Sequence, residues 1–148
     1  MDNLRAAIAL SQLPHLDNNC SRWNERYDTL MQRLLAMPKV EIPARHPDET
    51  YVGSSIQFRL PQLGDGQVAE FLAACAKRGV ELKWFGEAEP NAFTSRYDSW
   101  KYLAPTHLPN TLAILAKTFD MRVPLTFDVE DCELIADIIA EEVANFCA

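Results

Sequence analysis

Tyr51-Val52-Gly53-Ser54-Ser55-Ile56-Gln57-Phe58-Arg59-Leu60 alternates along its whole length. Val52, Ser54, Ile56, Phe58 and Leu60 point one way; Tyr51, Gly53, Ser55, Gln57 and Arg59 point the other. A period of two is that of a strand with one buried face. Pro61 to Gly66 reads as a turn. From Gln67 to Arg78 the period changes: Val68, Phe71, Leu72 and Cys75 recur at helical spacing, and Gly79 supplies a left-handed stop. Val80 to Trp84 alternates again and reads as the next strand. Strand, helix, strand predicts one crossover unit, right-handed if its strands run parallel.

Outward from this unit, the rest of the chain is mostly helical. Toward the C-terminus, residues 85–106 carry Gly86, Pro90, Pro105 and five aromatic residues with weak periodicity, which predicts a long ordered loop. Leu108 to Thr118 reads as a short helix and Met121 to Leu125 as a short extended piece. Asp128 caps a last helix whose apolar stripe is Cys132, Ile135, Ile139, Val143 and Phe146. Toward the N-terminus, Val40 to Pro43 is extended and 43–50 is loop. Leu16 to Met37 predicts a helix with Leu16, Cys20, Trp23, Tyr27, Leu30, Met31 and Leu34 on one stripe and Arg22, Glu25, Arg26 and Arg33 mostly opposite. Residues 2–13 predict another helix, capped by Asp2 or Asn3, with Leu4, Ala7 and Ile8 on a shared face. Pro14 should kink or break it, because proline lacks the backbone donor.

The expected fold is therefore α+β. A small sheet of three to four strands carries helices largely on one face, preceded by a long kinked helical arm. Residues 1–37 form the arm and 38–148 the small α+β domain, together one compact unit.

Composition narrows the function. At 148 residues the chain is long enough for one domain with a real core. A net charge of −7 with scattered basic residues argues against nucleic acid, which requires clustered Lys and Arg. Glu130-Asp131 and Glu141-Glu142 read as the wet face of the last helix. No apolar run reaches the length of a membrane span, and no leader pattern opens the chain. Four cysteines without a C-x-x-C pair fit a reducing cytosol, and the three histidines lack metal-ligand spacing. There is no H-E-x-x-H, G-x-S-x-G, P-loop or dinucleotide glycine pattern. Gly64-Asp65-Gly66 is turn chemistry and too short to cradle a phosphate. No complete catalytic, cofactor-binding or metal-binding set is expected within this chain.

The opening Met1 to Asp17 resembles the segment that follows the cofactor lysine in DegT–StrS-type aminotransferases, which are PLP-dependent, fold-type-I enzymes acting on sugars. The family reads roughly N-Y-R-M-x-x-L-x-A-A-I-G-L-x-Q-L-x-x-L-D there. The matching residues are Met1, Leu4, Ala6, Ala7, Ile8, Leu10, Gln12, Leu13, Leu16 and Asp17, with Ala9 where the family has glycine. The run Trp84-Phe85-Gly86 through Phe93-Thr94-Ser95-Arg96-Tyr97, with Trp100 and Tyr102, is similar to a branch acting on sugars or cyclitols.

The resemblance implies the family's C-terminal small domain. It places the Schiff-base lysine, the aspartate facing the pyridine nitrogen and most phosphate contacts upstream of Met1. None of Lys39, Lys77, Lys83, Lys101 and Lys117 sits in a context like the family's lysine motif. No cofactor is then expected on this chain alone, which would be inactive by itself. The resemblance also makes Arg122 the first candidate for a substrate-carboxylate clamp and Arg96 the second. Trp84, Phe93, Trp100 and Tyr102 are candidates for the substrate mouth. A homo-oligomer through the arm, or a large domain, is the expected partner. The rival reading is a stand-alone binding or assembly module.

Overall fold

The computed structural model describes residues 2–89, 102, 104 and 106–147. Among these residues five α-helices and three strands follow one another: α1 (Asn3–Gln12), α2 (Leu16–Leu35), β1 (Ser55–Arg59), α3 (Val68–Lys77), β2 (Lys83–Trp84), α4 (Pro109–Leu115), β3 (Thr118–Arg122) and α5 (Val129–Phe146). The α+β class and the three-stranded sheet are as expected. A fourth piece touches the sheet at a single bridge, Glu41 opposite Arg59.

The sheet order is β1-β3-β2, with both outer strands antiparallel to β3. β1 and β2 therefore do run parallel across the α3 crossover, but β3 lies between them. The expected extended piece at 121–125 starts earlier, at Thr118, and is the centre of the sheet. β1 and β2 are each shorter than their alternation predicts: β1 pairs along the five residues that β3 offers, and β2 pairs with only two of them. The register Ile56↔Met121 and Phe58↔Phe119 places these four side chains on one face, where they are buried.

Helices cover that face. Phe58 stacks on Phe119 at 5.7 Å between centroids, and Phe71 of α3 meets Phe119 edge-on at 5.5 Å. Tyr27, Leu30 and Leu34 of α2 join Cys132, Ile139 and Val143 of α5 in the same core. Between α2 and α5 the contact ends in an ion-pair fork: Arg33 reaches Glu133 at 3.2 Å and Asp137 at 2.6 Å.

Two charged positions depart from the expected wet faces. Arg26 is buried, because its guanidinium donates to the carbonyls of Phe127 and Arg22. Glu142 is buried because Arg78 at the end of α3 pairs with it at 3.0 Å and with Glu141 at 2.8 Å. A buried carboxylate persists only when it is paired in this way.

Local signals held at the helix ends. Asp2 accepts from the Arg5 N–H, and Asp128 forms a reciprocal capping box with Asp131. Gly79 takes a φ of 87° at the stop of α3. Pro14 does not break the arm: Leu13–His15 forms one 3₁₀ turn that joins α1 to α2, with proline in its first turn, where a backbone N–H is not needed. No residue of α1 is buried. No helix of the described residues is long and apolar enough to cross a membrane.

Candidate functional site: a groove at the open edge of the sheet

The face of the sheet turned away from the helices carries Ser55, Gln57, Lys83, Asp120 and Arg122. These residues line an open groove of about 890 Å³. Its other walls are Gly79 to Leu82, Phe85, Met121, Pro124, Phe127 and Ile135. The groove exists because β2 is short. Lys83 pairs with Asp120, but the chain before it leaves the ladder, so Glu81 does not pair with Arg122. Val80 is instead held back by its N–H bond to the Cys75 carbonyl at the end of α3.

Within the groove the polar groups are unequally engaged. Gln57 Nε2 donates to Asp120 Oδ1 at 2.5 Å and to Ser55 Oγ at 3.0 Å. The Lys83 ammonium lies 5.2 Å from the centre of the Phe85 ring. Arg122 is exposed and, among the described residues, has no hydrogen-bond or ion-pair partner for its guanidinium. It stands opposite Ser55 in the register. An unengaged guanidinium beside a hydroxyl is chemically suited to a carboxylate or phosphate, which it grips through two parallel N–H bonds.

Sequence reasoning missed the groove's far wall. Arg26 Nε donates to the Phe127 carbonyl at 2.6 Å, and Arg22 Nη2 donates to that of Leu125 at 3.2 Å. Two arginines of α2 thus fix the segment that follows Arg122. Nothing in the α2 pattern separates these arginines from Arg33, which pairs with carboxylates instead.

Of the candidate substrate-binding residues, Arg122, the first candidate for the carboxylate clamp, lines the groove. Trp84 turns to the other face: it packs against the core, and its Nε1–H donates to the Ala116 carbonyl at 3.0 Å. Gly86 is required beside it, since a Cβ there would stand 2.4 Å from the indole ring. Tyr102 is 97% exposed. Phe93, Arg96 and Trp100, and most of the expected 85–106 loop, lie outside the described residues.

The DegT/DnrJ/EryC1/StrS aminotransferase family model matches residues 1–140. The chain belongs to this family. No curated protein sequence matches it. Several solved structures share its fold, among them the following three. The aminotransferase TlmJ from Streptoalloteichus hindustanus has a TM-score of 0.75 at 16% identity, over 95% of this chain and 36% of that one. A 3-amino-5-hydroxybenzoic acid synthase has a TM-score of 0.69 at 24% identity, over 90% and 36%. The sugar aminotransferase CalS13 from Micromonospora echinospora has a TM-score of 0.71 at 18% identity, over 91% and 34%. The chain thus spans about a third of the length of each.

Aminotransferases of this family are in general PLP-dependent, and the described residues of this chain do not fit that cofactor. A PLP site requires a lysine free to bond the cofactor, with an acidic partner for its ring nitrogen. The Lys39 ammonium donates to the Cys147 carbonyl, and that of Lys117 donates to Leu63 and pairs with Asp65. Lys77 is exposed at the end of α3 and does not line the groove; Lys83 does, but the carboxylate it faces, Asp120, is already engaged by Gln57.

Proposed function

We propose that this chain is the C-terminal, small-domain portion of a PLP-dependent, fold-type-I aminotransferase that acts on sugar or cyclitol substrates in the cytoplasm. On this reading residues 1–37 are the arm toward a large domain and 38–148 are the small domain. The family match over residues 1–140 supports it, together with a span of only about a third of the related structures. The lysine and the cofactor cradle belong to the remainder of the family fold, and the 148 residues alone do not transaminate. When bound there, PLP supplies the electron sink.

This chain's share of the work is substrate binding at the groove. Arg122 clamps a carboxylate of the amino donor, helped by the Ser55 hydroxyl. Arg96, Phe93, Trp100 and Tyr102 complete the mouth in the same proposal. Trp84 contributes by packing: its ring lies against the core and its Nε1–H donates to the Ala116 carbonyl. A second reading, a module that dimerises through the arm or pairs with a separately encoded large domain, is favoured by one observation: Leu4, Leu10 and Leu13 are each at least 60% exposed.

Two measurements test the first reading. Incubated with PLP, the 148-residue chain should yield no stoichiometric cofactor adduct that borohydride fixes to a lysine; finding one overturns it. In the assembled aminotransferase, Arg122→Gln should raise KM for the amino donor by about tenfold or more, the worth of a charge-assisted pair. The melting temperature of the 148-residue chain should not move, because among the described residues Arg122 has no hydrogen-bond or ion-pair partner to lose. An unchanged KM removes Arg122 from the site.

A further inference from the structure

β3 keeps one backbone position uncovered. Leu60 N–H donates to the Lys117 carbonyl and Val123 N–H to the Ser54 carbonyl, so the odd residues of β3 turn their backbone groups to β1. The even residues turn theirs to the β2 side, where Phe85 N–H donates to the Thr118 carbonyl. Lys83 meets Asp120 there, but no residue stands opposite Arg122, because Val80 is tied back to Cys75 and Glu81 does not reach the ladder. Among the described residues, the N–H and the carbonyl of Arg122 therefore have no partner. The open edge goes no further: Pro124 has no N–H, and its carbonyl accepts from Phe127 N–H.

The two ends of this position differ. Toward Asp120 it is closed by Lys83, the first residue of β2. Toward Pro124 no strand of the described residues blocks it, and Phe127 and Ile135 supply apolar walls. The free charges at the closed end are cations. The Lys83 ammonium and the Arg122 guanidinium share one face of the sheet, at diagonal positions on neighbouring strands. Asp120 is engaged by Gln57, and Glu81 belongs to the wall that has left the ladder.

We propose that this edge binds the carboxyl-terminal residue of an extended peptide. The peptide lies antiparallel to β3; its last N–H donates to the Arg122 carbonyl and its carboxylate accepts from the Arg122 N–H, as one strand residue pairs with another. Charge sets the direction. The antiparallel sense brings the carboxylate to Lys83 and the Arg122 guanidinium, whereas the parallel sense would bring an N-terminal ammonium to two cations. Size favours a peptide over a single residue: the groove of about 890 Å³ is in the upper part of the range that encloses drug-sized ligands. The preceding residue then runs past Pro124, and alternation turns its side chain to the apolar walls. This binding goes beyond the aminotransferase reading and needs neither PLP nor the rest of the family fold. Because Arg122 serves both, the peptide and an amino donor would exclude each other.

An NMR titration of the isotope-labelled 148-residue chain with acetyl-Ala-Leu-Ala carrying a free carboxylate tests this. Saturable shifts are expected at the Arg122 and Lys83 amide signals. Capping the carboxylate as a primary amide should weaken binding by about tenfold or more, the worth of a charge-assisted bond. Methylating the last peptide nitrogen should weaken it by about two- to tenfold, the worth of a neutral bond. Arg122→Gln should weaken the free-carboxylate peptide by about tenfold or more. No saturable shift at Arg122 in millimolar peptide overturns the proposal, and so does equal affinity for the amidated or the N-methylated form. Acetyl-alanine binding as tightly as the tripeptide overturns the peptide as occupant in favour of a small acylated amino acid. The donor KM of the assembled enzyme decides the aminotransferase role of Arg122 independently of this titration.

Discussion

α1 and α5 begin in the same way and end differently. Each is capped by an aspartate, Asp2 or Asp128, that accepts a 2.8 Å bond from the backbone N–H three residues on. Each is rich in Ala, Leu and Ile. Yet α5 buries Cys132, Ala136, Ile138, Ile139, Glu142 and Val143, and α1 buries nothing. The contrast teaches that capping and composition specify a helix, while its stability comes from what it lies against. α5 lies against α2 and α3 and is closed at both ends by Arg33 and Arg78. Among the described residues α1 has no such neighbour.

The largest expected effect puts the contrast to a direct trial. Ile139→Ala removes a fully buried side chain from α5 and should cost about 2–5 kcal/mol of unfolding free energy. Ile8→Ala on α1 should stay within about 0.5 kcal/mol in the same chain. Urea denaturation of the two variants measures both. Equal losses would mean that α1 is already packed in solution.

A smaller difference is expected at the caps. Asp128→Ala should lower global stability by about 0.5–2 kcal/mol, since the side-chain oxygen that accepts from the Asp131 N–H is lost. Asp2→Ala should lower only the helical signal of α1 and leave the unfolding midpoint in place. A shift of that midpoint would tie the arm to the cooperative unit.

The mildest effect concerns thiols. Burial pushes the thiol of Cys132 on α5 up to about 11 and that of Cys75 on α3 up to about 12. Both groups are harder to ionise folded than unfolded, so their contribution is fully present below pH 9 and is lost as pH rises toward 11 and 12. The chain should therefore weaken progressively above pH 9. A thiol reagent at neutral pH should label Cys20, which is only partly covered, and spare Cys75, Cys132 and Cys147 until unfolding. Fast labelling of Cys132 in the native chain would show that α5 opens locally.

Much of the fold could be read along the chain. The alternation of Ile56, Phe58 and Leu60, the stop at Gly79, the cap at Asp128 and the α5 stripe each express a local period or a local bond, and the folded chain keeps them. The centre of the sheet could not be read in this way. Thr118 and Phe119 sit directly after a helix, and only pairing with β1 on one side and β2 on the other makes them strand. Arg26 and Glu142 looked solvated because a charge reveals nothing of a partner about 60–100 residues away. For the site, sequence marked Arg122 as a candidate. It did not show the departure of residues 80–82 from the ladder that opens the groove, nor the arginine clamp on its far wall.

The amino-acid order by itself determined where helices start and stop, which strand face is apolar and, through its opening motif, the family to which the chain belongs. Those are matters of neighbouring residues and short-range geometry. Tertiary structure alone decided that β3 lies between β1 and β2, that Trp84 serves the core while Arg122 faces a groove, and that α1 is left uncovered. Each of these depends on groups distant in sequence meeting, or failing to meet, across a burial surface, and no local period encodes that.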